Sequence, residues 1–183
     1  MKQRLLFLGP PGAGKGTQAE RLAAHHALLH LSTGELLRAE VRARTPLGEE
    51  AEAVMARGEL VSDALVLAIV RERLLQHSGG WLLDGFPRNL EQAEALDLLL
   101  AELGQGIEAA LLLELEDALL VQRMLARGRA DDDEAVIRNR LEVYQSMTAP
   151  LVAHYEQRGL LRRVDAAGDI DAITQRIEAV LLD

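Results

Sequence analysis

The 183-residue chain contains no cysteine. That excludes disulfides and every thiolate metal site, including a four-cysteine zinc centre, and it fits a reducing cytoplasm. Lysine is almost absent too. Only Lys2 and Lys15 occur, against 18 arginines; at surface positions this preference reads as genome base composition. No apolar run reaches the roughly 18 residues of a membrane-spanning helix, so no membrane partner is expected. The start, Met1-Lys2-Gln3-Arg4, passes directly into apolar residues, and no signal peptide is expected. A net charge of −9 argues against a nucleic-acid backbone as partner, yet arginines cluster locally, which leaves a polyanionic small ligand open. The five histidines, His25, His26, His30, His77 and His154, show no metal-ligand spacing and read as structural or surface residues. With 49% hydrophobic and 27% charged residues, the chain suits one compact domain over 1–183.

What is present starts with one of the two lysines. Lys15 closes the run Gly9-Pro10-Pro11-Gly12-Ala13-Gly14-Lys15-Gly16-Thr17. The apolar run Arg4–Leu8 before it predicts a buried parallel strand, and residues 18–24 after it predict a helix. Strand, glycine loop, lysine and helix in that order form a phosphate cradle. The glycines let backbone N–H groups turn toward one anion, and the lysine adds a compact charge. The residue after the lysine in most such loops is a hydroxyl that holds Mg²⁺. Here it is Gly16, with the hydroxyl one place later at Thr17, so the metal is expected to rest mainly on nucleotide phosphates and water.

Further along, strand-like runs at Arg4–Leu8, Leu28–Leu31, Trp81–Asp84, Ala109–Leu113 and Leu161–Val164 alternate with helical stretches. This predicts an α/β fold with a doubly wound, five-stranded parallel sheet, whose ligands bind at the carboxyl ends of the strands. Gly9 and Gly85 both follow strand ends, which points to one shared cleft. Thr33 to about Val61 reads as a helical insertion with turns at Thr45-Pro46 and Arg57-Gly58. A polar break follows at 127–133.

Asp84 ends its strand with an acid able to face the loop lysine and a hydrated metal. If Pro87 opens a helix, Arg88 and Gln92 project from one side, a planar cation and an amide suited to a phosphate and a nucleobase edge. Ser32 or Thr33 reads as an N-cap for the insertion, whatever else it does. Arg123, Arg127, Arg129 and Arg140 surround the polar break, a concentration of cations that calls for an anion. The acidic run Asp131-Asp132-Asp133-Glu134 reads either as favourable charge at a helix N-terminus or as part of a ligand site.

Together GPPGAGKGTQA, LSTGELLR, LLDGFPRNLEQA, ARGRADD, IRNRLEVY and the segment 148–151 resemble adenylate kinases, of the nucleoside monophosphate kinase family, over essentially the whole chain. The resemblance implies reversible phosphoryl transfer from MgATP to AMP giving two ADP. It implies that Gly12, Ala13, Gly14, Lys15, Gly16 and Thr17 hold the ATP phosphates, that Arg123 stacks on its adenine and that Arg127 also binds ATP. Thr33, Arg38, Glu59, Val61, Gly85, Arg88, Gln92, Arg129 and Arg140 fall at AMP-site positions. It also implies that Lys15, Arg88, Arg127, Arg129 and Arg140 carry catalysis and that Asp84 orients hydrated Mg²⁺. The insertion at 32–61 corresponds to the AMP-binding domain, and 127–133 to a very short lid without zinc. Relatives mostly have Asp where Glu35 stands. Pyrimidine nucleotide kinases usually have Ala at the place of Thr33 and Asn at that of Gln92, so AMP is expected over CMP or UMP. A P-loop hydrolase and a non-catalytic nucleotide-binding module are the rival readings. A monomer without nucleic-acid partner is expected.

Overall fold

The computed structural model describes residues 1–57, 61–128 and 133–183. Among these, five strands and eight helices occur, in the order β1 (Arg4–Leu8), α1 (Lys15–His26), β2 (Leu29–Ser32), α2 (Thr33–Ala43), α3 (Pro46–Ala56), α4 (Asp63–Leu75), β3 (Trp81–Asp84), α5 (Leu90–Glu102), β4 (Ala109–Glu114), α6 (Asp117–Arg127), α7 (Glu134–Gln157), β5 (Leu161–Asp165) and α8 (Ile170–Leu182). The strands form one parallel sheet in the order β2-β3-β1-β4-β5. The expected five-stranded doubly wound sheet is present, with strand limits shifted by one residue at β2, β4 and β5.

Strand pleating explains why these short runs are so uniformly apolar. Leu5 and Phe7 face one side, where α1, α6, the start of α7 and α8 cover them. Leu6 and Leu8 face the other, under α2, α4, α5 and the end of α7. In the three inner strands, β3, β1 and β4, helices on both faces leave no position for a polar side chain except at the ends. Asp84 occupies such an end.

The topology fixes where a ligand can sit. From β1 the chain passes through α1 to β2 at one edge of the sheet. From β3, the neighbour of β1, it passes through α5 to β4 on the opposite side. Connections diverging from adjacent parallel strands open a crevice at their carboxyl ends. The glycine loop and Gly85 are the residues that border it.

Helix starts follow side-chain chemistry. Ser62, Asn89, Asp133 and Asp169 each accept a hydrogen bond from the backbone N–H three residues on, at 3.2, 2.9, 2.9 and 2.8 Å. Two sequence expectations are corrected here. Pro87 does not open α5. The helix begins at Leu90, because Asn89 offers the oxygen that satisfies an orphan amide and Pro87 offers none. Ser32 holds the N-cap position of α2 but makes no capping side-chain bond; Thr33 is turned inward and buried. The acidic run resolves for one member, since Asp133 caps α7.

The stretch expected as an insertion carries two helices, α2 and α3, as far as it is described. The two helices approach so closely that a Cβ on Gly48 would lie 2.0 Å from the carbonyl oxygen of Glu40. The Glu40 carboxylate, 6% exposed, is satisfied by the Thr45 hydroxyl and by Arg73 of α4, whose Nη2 donates at 3.1 Å. Gly48→Ala forces backbone against backbone and should lower stability by about 3 kcal/mol or more, read as a shift in the urea midpoint. A loss below about 0.5 kcal/mol, the range of neutral surface changes, would show that α2 and α3 separate freely.

Candidate active site

The crevice is a cavity of about 880 Å³. Gly9, Pro11, Lys15 and Gly16 line it from the loop, and Asp84, Gly85, Pro87 and Arg88 from the end of β3. Arg127 enters from α6, and Asn139, Arg140, Tyr144, Met147 and Thr148 from α7. Gly9 and Gly85 share it, as the strand ends foretold. A neighbouring opening of about 610 Å³, which shares Tyr144 and Thr148 with the crevice and is otherwise lined by residues such as Glu114, Asp117 and Arg163, contains none of the expected site residues.

The loop is built for backbone exposure. Gly12 and Gly14 take φ of +84° and +89°, and Gly14 is the N-cap of α1. A side chain at Gly12 would meet Met124, whereas nothing lies within 4 Å above Gly14 or Gly16. The first turn of α1 therefore opens onto unobstructed space, with the partial positive charge of the helix end behind it. Ala13 is buried and Thr17 is exposed on the first turn.

Lys15 Nζ lies 3.7 Å from Asp84 Oδ1. Burial lowers the lysine's pKa below its ordinary value; Asp84 pulls it back up, while Arg88 lowers it further. Burial would raise Asp84, but His30 and Lys15 together outweigh it and hold the carboxyl below its ordinary value. His30, which the sequence marks as structural or surface, stands in β2, with Nε2 3.8 Å from Asp84 Oδ2 and no hydrogen bond of its own.

The residues expected on the AMP side form a second group. Gly85, at φ +91°, approaches Thr33 so closely that a Cβ there would stand 2.8 Å from the Thr33 hydroxyl. Arg88 Nε donates to the Gly85 carbonyl at 3.0 Å. The Arg88 backbone N–H donates to Gln92 Oε1 at 2.7 Å, and Gln92 Nε2 donates to Asp63 Oδ1 of α4 at 2.9 Å. Arg88 and Gln92 thus stay together although no helix turn joins them. Arg38 is exposed on α2 and pairs with Glu35. Val61 is half-buried against the core. Neither lines the cavity, and Glu59 lies outside the described residues.

Arg123 points behind the loop rather than into the cavity. Its guanidinium donates to the carbonyls of Gly12 and Ala13, both at 3.5 Å, and to Ala166 at 2.9 Å. Arg129, Asp131 and Asp132 lie outside the described residues. Sequence reasoning missed Tyr144 and Thr148. Their signal was the spacing of four from Arg140, which aligns three residues along α7. The Tyr144 phenol is pushed up to about 12 by burial and by Glu114.

A glycine phosphate loop at the switch point of a doubly wound parallel sheet, with three arginines lining the same cavity as its lysine, defines a P-loop nucleotide-binding protein. Comparison narrows the class. Residues 7–160 match the family model described as adenylate kinase. The chain is 72% identical over 181 residues to the adenylate kinase of Synechococcus sp. (strain RCC307), and 69% identical over 181 residues to that of Prochlorococcus marinus (strain MIT 9303). It is 66% identical over 182 residues to that of Parasynechococcus marenigrum (strain WH8102). Each alignment covers 99% of this chain and 100% of the relative. The chain belongs to the adenylate kinase family.

Because the folded pKa of Lys15 is depressed, the folded chain binds fewer protons than the unfolded one between that value and the ordinary 10.5, and stability rises with pH across this window. The charged lysine therefore opposes folding at neutral pH in the absence of a bound anion. Lys15→Met should keep the ligand-free thermal midpoint within about 4 °C of wild type or raise it, while kcat falls about a hundredfold or more. A midpoint lowered by about 8 °C or more would show instead that the lysine is a structural ion-pair partner.

Proposed function

We propose that the chain catalyses reversible phosphoryl transfer from MgATP to AMP, giving two ADP, with the reaction centred on the cavity between the glycine loop and Arg88. The observation that carries this reading is the convergence of Lys15, Arg88, Arg127 and Arg140 on one crevice in a member of the adenylate kinase family. A hydrolase needs an ordered water, and a binding module needs no cluster of cations at the phosphate end.

The backbone from Gly12 to Thr17 and the Lys15 ammonium hold the β- and γ-phosphates. Arg123 and Arg127 serve ATP. Thr33, Arg38, Glu59, Val61, Gly85, Arg88, Gln92, Arg129 and Arg140 serve AMP, within an insertion spanning 32–61. The segment 127–133 acts as a short lid. Arg88, Arg127, Arg129 and Arg140 neutralise charge on the transferring group. The attacking phosphate is already an anion, so no general base is required, and catalysis rests on alignment and electrostatics. Closure of insertion and lid excludes water, the competing acceptor.

Asp84 suits hydrated Mg²⁺ by its donor chemistry: a carboxylate held ionised at the mouth of the open cradle. Bound Mg²⁺ supplies charge neutralisation at the nucleotide phosphates; the protein's share is to orient its water shell through Asp84. Without cysteine, a thiolate zinc site is excluded. We place the enzyme in the cytoplasm as a monomer. No described helix is long and apolar enough to cross a membrane.

Arg88→Ala should lower kcat for the AMP reaction by about a hundredfold, because the lost guanidinium serves both AMP binding and the transition state. A change confined to KM for AMP would reduce Arg88 to a binding residue. With ATP and Mg²⁺ alone, release of inorganic phosphate should be slower than transfer to AMP by about a hundredfold or more, even though water stands at about 55 M. Added AMP should yield ADP without phosphate. Rapid phosphate release that AMP fails to suppress would favour the hydrolase reading.

A further inference from the structure

We infer that Asp63 is a specificity-determining positioning residue: it fixes the orientation of the Gln92 carboxamide and so makes the monophosphate site select a 6-aminopurine over a 6-oxopurine. The inference rests on the proposed reading of Gln92 as the residue that meets the base.

Gln92 carries an acceptor and a donor on nearly identical arms, and a half-turn exchanges them. Two neighbours forbid that exchange. The backbone N–H of Arg88 can only donate, and it reaches Oε1 at 2.7 Å. The ionised Asp63 carboxylate can only accept, and it takes Nε2 at 2.9 Å. In the flipped amide, N–H would face N–H at Arg88 and oxygen would face oxygen at Asp63. Both clamps therefore select the same orientation. The Gln92 backbone is fixed as well, because its N–H donates to the Asn89 cap.

One lone pair on Oε1 and one N–H on Nε2 remain for a ligand. Adenine offers an acceptor at N1 beside a donor at its 6-amino group. Hypoxanthine and guanine offer the reverse, a donor at N1 beside an acceptor at O6. In one base pose, a fixed carboxamide can match only one of these patterns, whereas a freely rotating one matches both. Selection between them therefore requires something to stop the flip, and Asp63 is one of the two groups that do.

The placement suits this role. Asp63 is the first residue of α4, whose N-cap Ser62 and buried Leu65, Ile69, Val70 and Leu74 fix the helix against the same core layer that holds Ala93 and Leu96 of α5. Clamp and reader thus stand on helices that share one packed core layer. A negative side chain in the first turn also favours the helix dipole, so the test must separate the two roles.

Kinetics of the full-length enzyme with ATP and either AMP or inosine monophosphate, for wild type, Asp63→Asn, Asp63→Ala and Gln92→Ala, make that separation. Both Asp63 variants should lower the AMP-to-inosine-monophosphate ratio of kcat/KM by about tenfold, chiefly through KM of the monophosphate, and turnover of the 6-oxo nucleotide should rise in absolute terms. Loss of helix stability cannot raise turnover of a poor substrate. A ratio within about twofold of wild type, or an equal fall for both nucleotides, overturns the inference when Gln92→Ala does collapse the ratio. If Gln92→Ala leaves the ratio unchanged, the base-reading role of Gln92 falls and the inference falls with it.

Discussion

Pairing of β1 with β3, in the register that sets Phe7 beside Asp84, places two strand ends next to each other and turns their connections in opposite directions. Most of the chemistry depends on that one juxtaposition. It brings the Lys15 ammonium to the Asp84 carboxylate, a residue far along the chain. It also puts the Gly85 turn, with Arg88 three residues on, across the crevice from the glycine loop. β2, pairing on the far side of β3, then brings His30 against the same carboxylate and starts the insertion at the cavity's edge. The apolar inner strands serve this arrangement by burying both faces of the sheet, so that their polar residues stand only at strand ends, Asp84 among them at a carboxyl end.

The electrostatics of the crevice make sense only with an anion present. Lys15 is partly desolvated, its acidic partner Asp84 stands at 3.7 Å, and Arg88 repels it. Such an arrangement works against the ligand-free fold and in favour of a bound polyphosphate, whose charge relieves the repulsion. The chain's overall excess of acid does not weaken the argument, because the cations are local and the acids are mostly elsewhere. An isolated lysine in a sequence that uses arginine almost everywhere also has a physical reading here. At the helix N-terminus a lysine presents a compact point charge, where an arginine would present a planar fork.

How much could be read from the sequence depended on how far apart the interacting residues lie along the chain. The phosphate loop, the alternation of strands and helices and the two-helix insertion are local patterns, and each was legible. The start of α5 was misread because Pro87 is a strong helix-opening signal, yet the asparagine two places later supplies the oxygen that an orphan amide requires. His30 next to Asp84 and Gln92 bonded to Asp63 were invisible for a different reason. Each pair joins residues from separate elements, and nothing in the local pattern marks either partner. The α7 face of Arg140, Tyr144 and Thr148 lay between these cases, since the period was present but only the topology shows which face meets the crevice.

Gly85 shows how the nucleotide halves of the crevice are joined mechanically. Its positive φ turns the chain sharply at the end of β3, and its missing side chain is what allows the Thr33 hydroxyl to stand 2.8 Å from where a Cβ would be. Its carbonyl meanwhile receives Arg88 Nε. One residue thus fixes the base of the insertion and the direction of the arginine that faces Lys15. Because Glu40 is bonded to both Thr45 and Arg73, the two insertion helices are also tied to α4, the helix whose first residue clamps Gln92. Hydrogen bonds thus join Glu40 of α2 to Arg73 of α4, and Asp63 at the start of that same helix to Gln92.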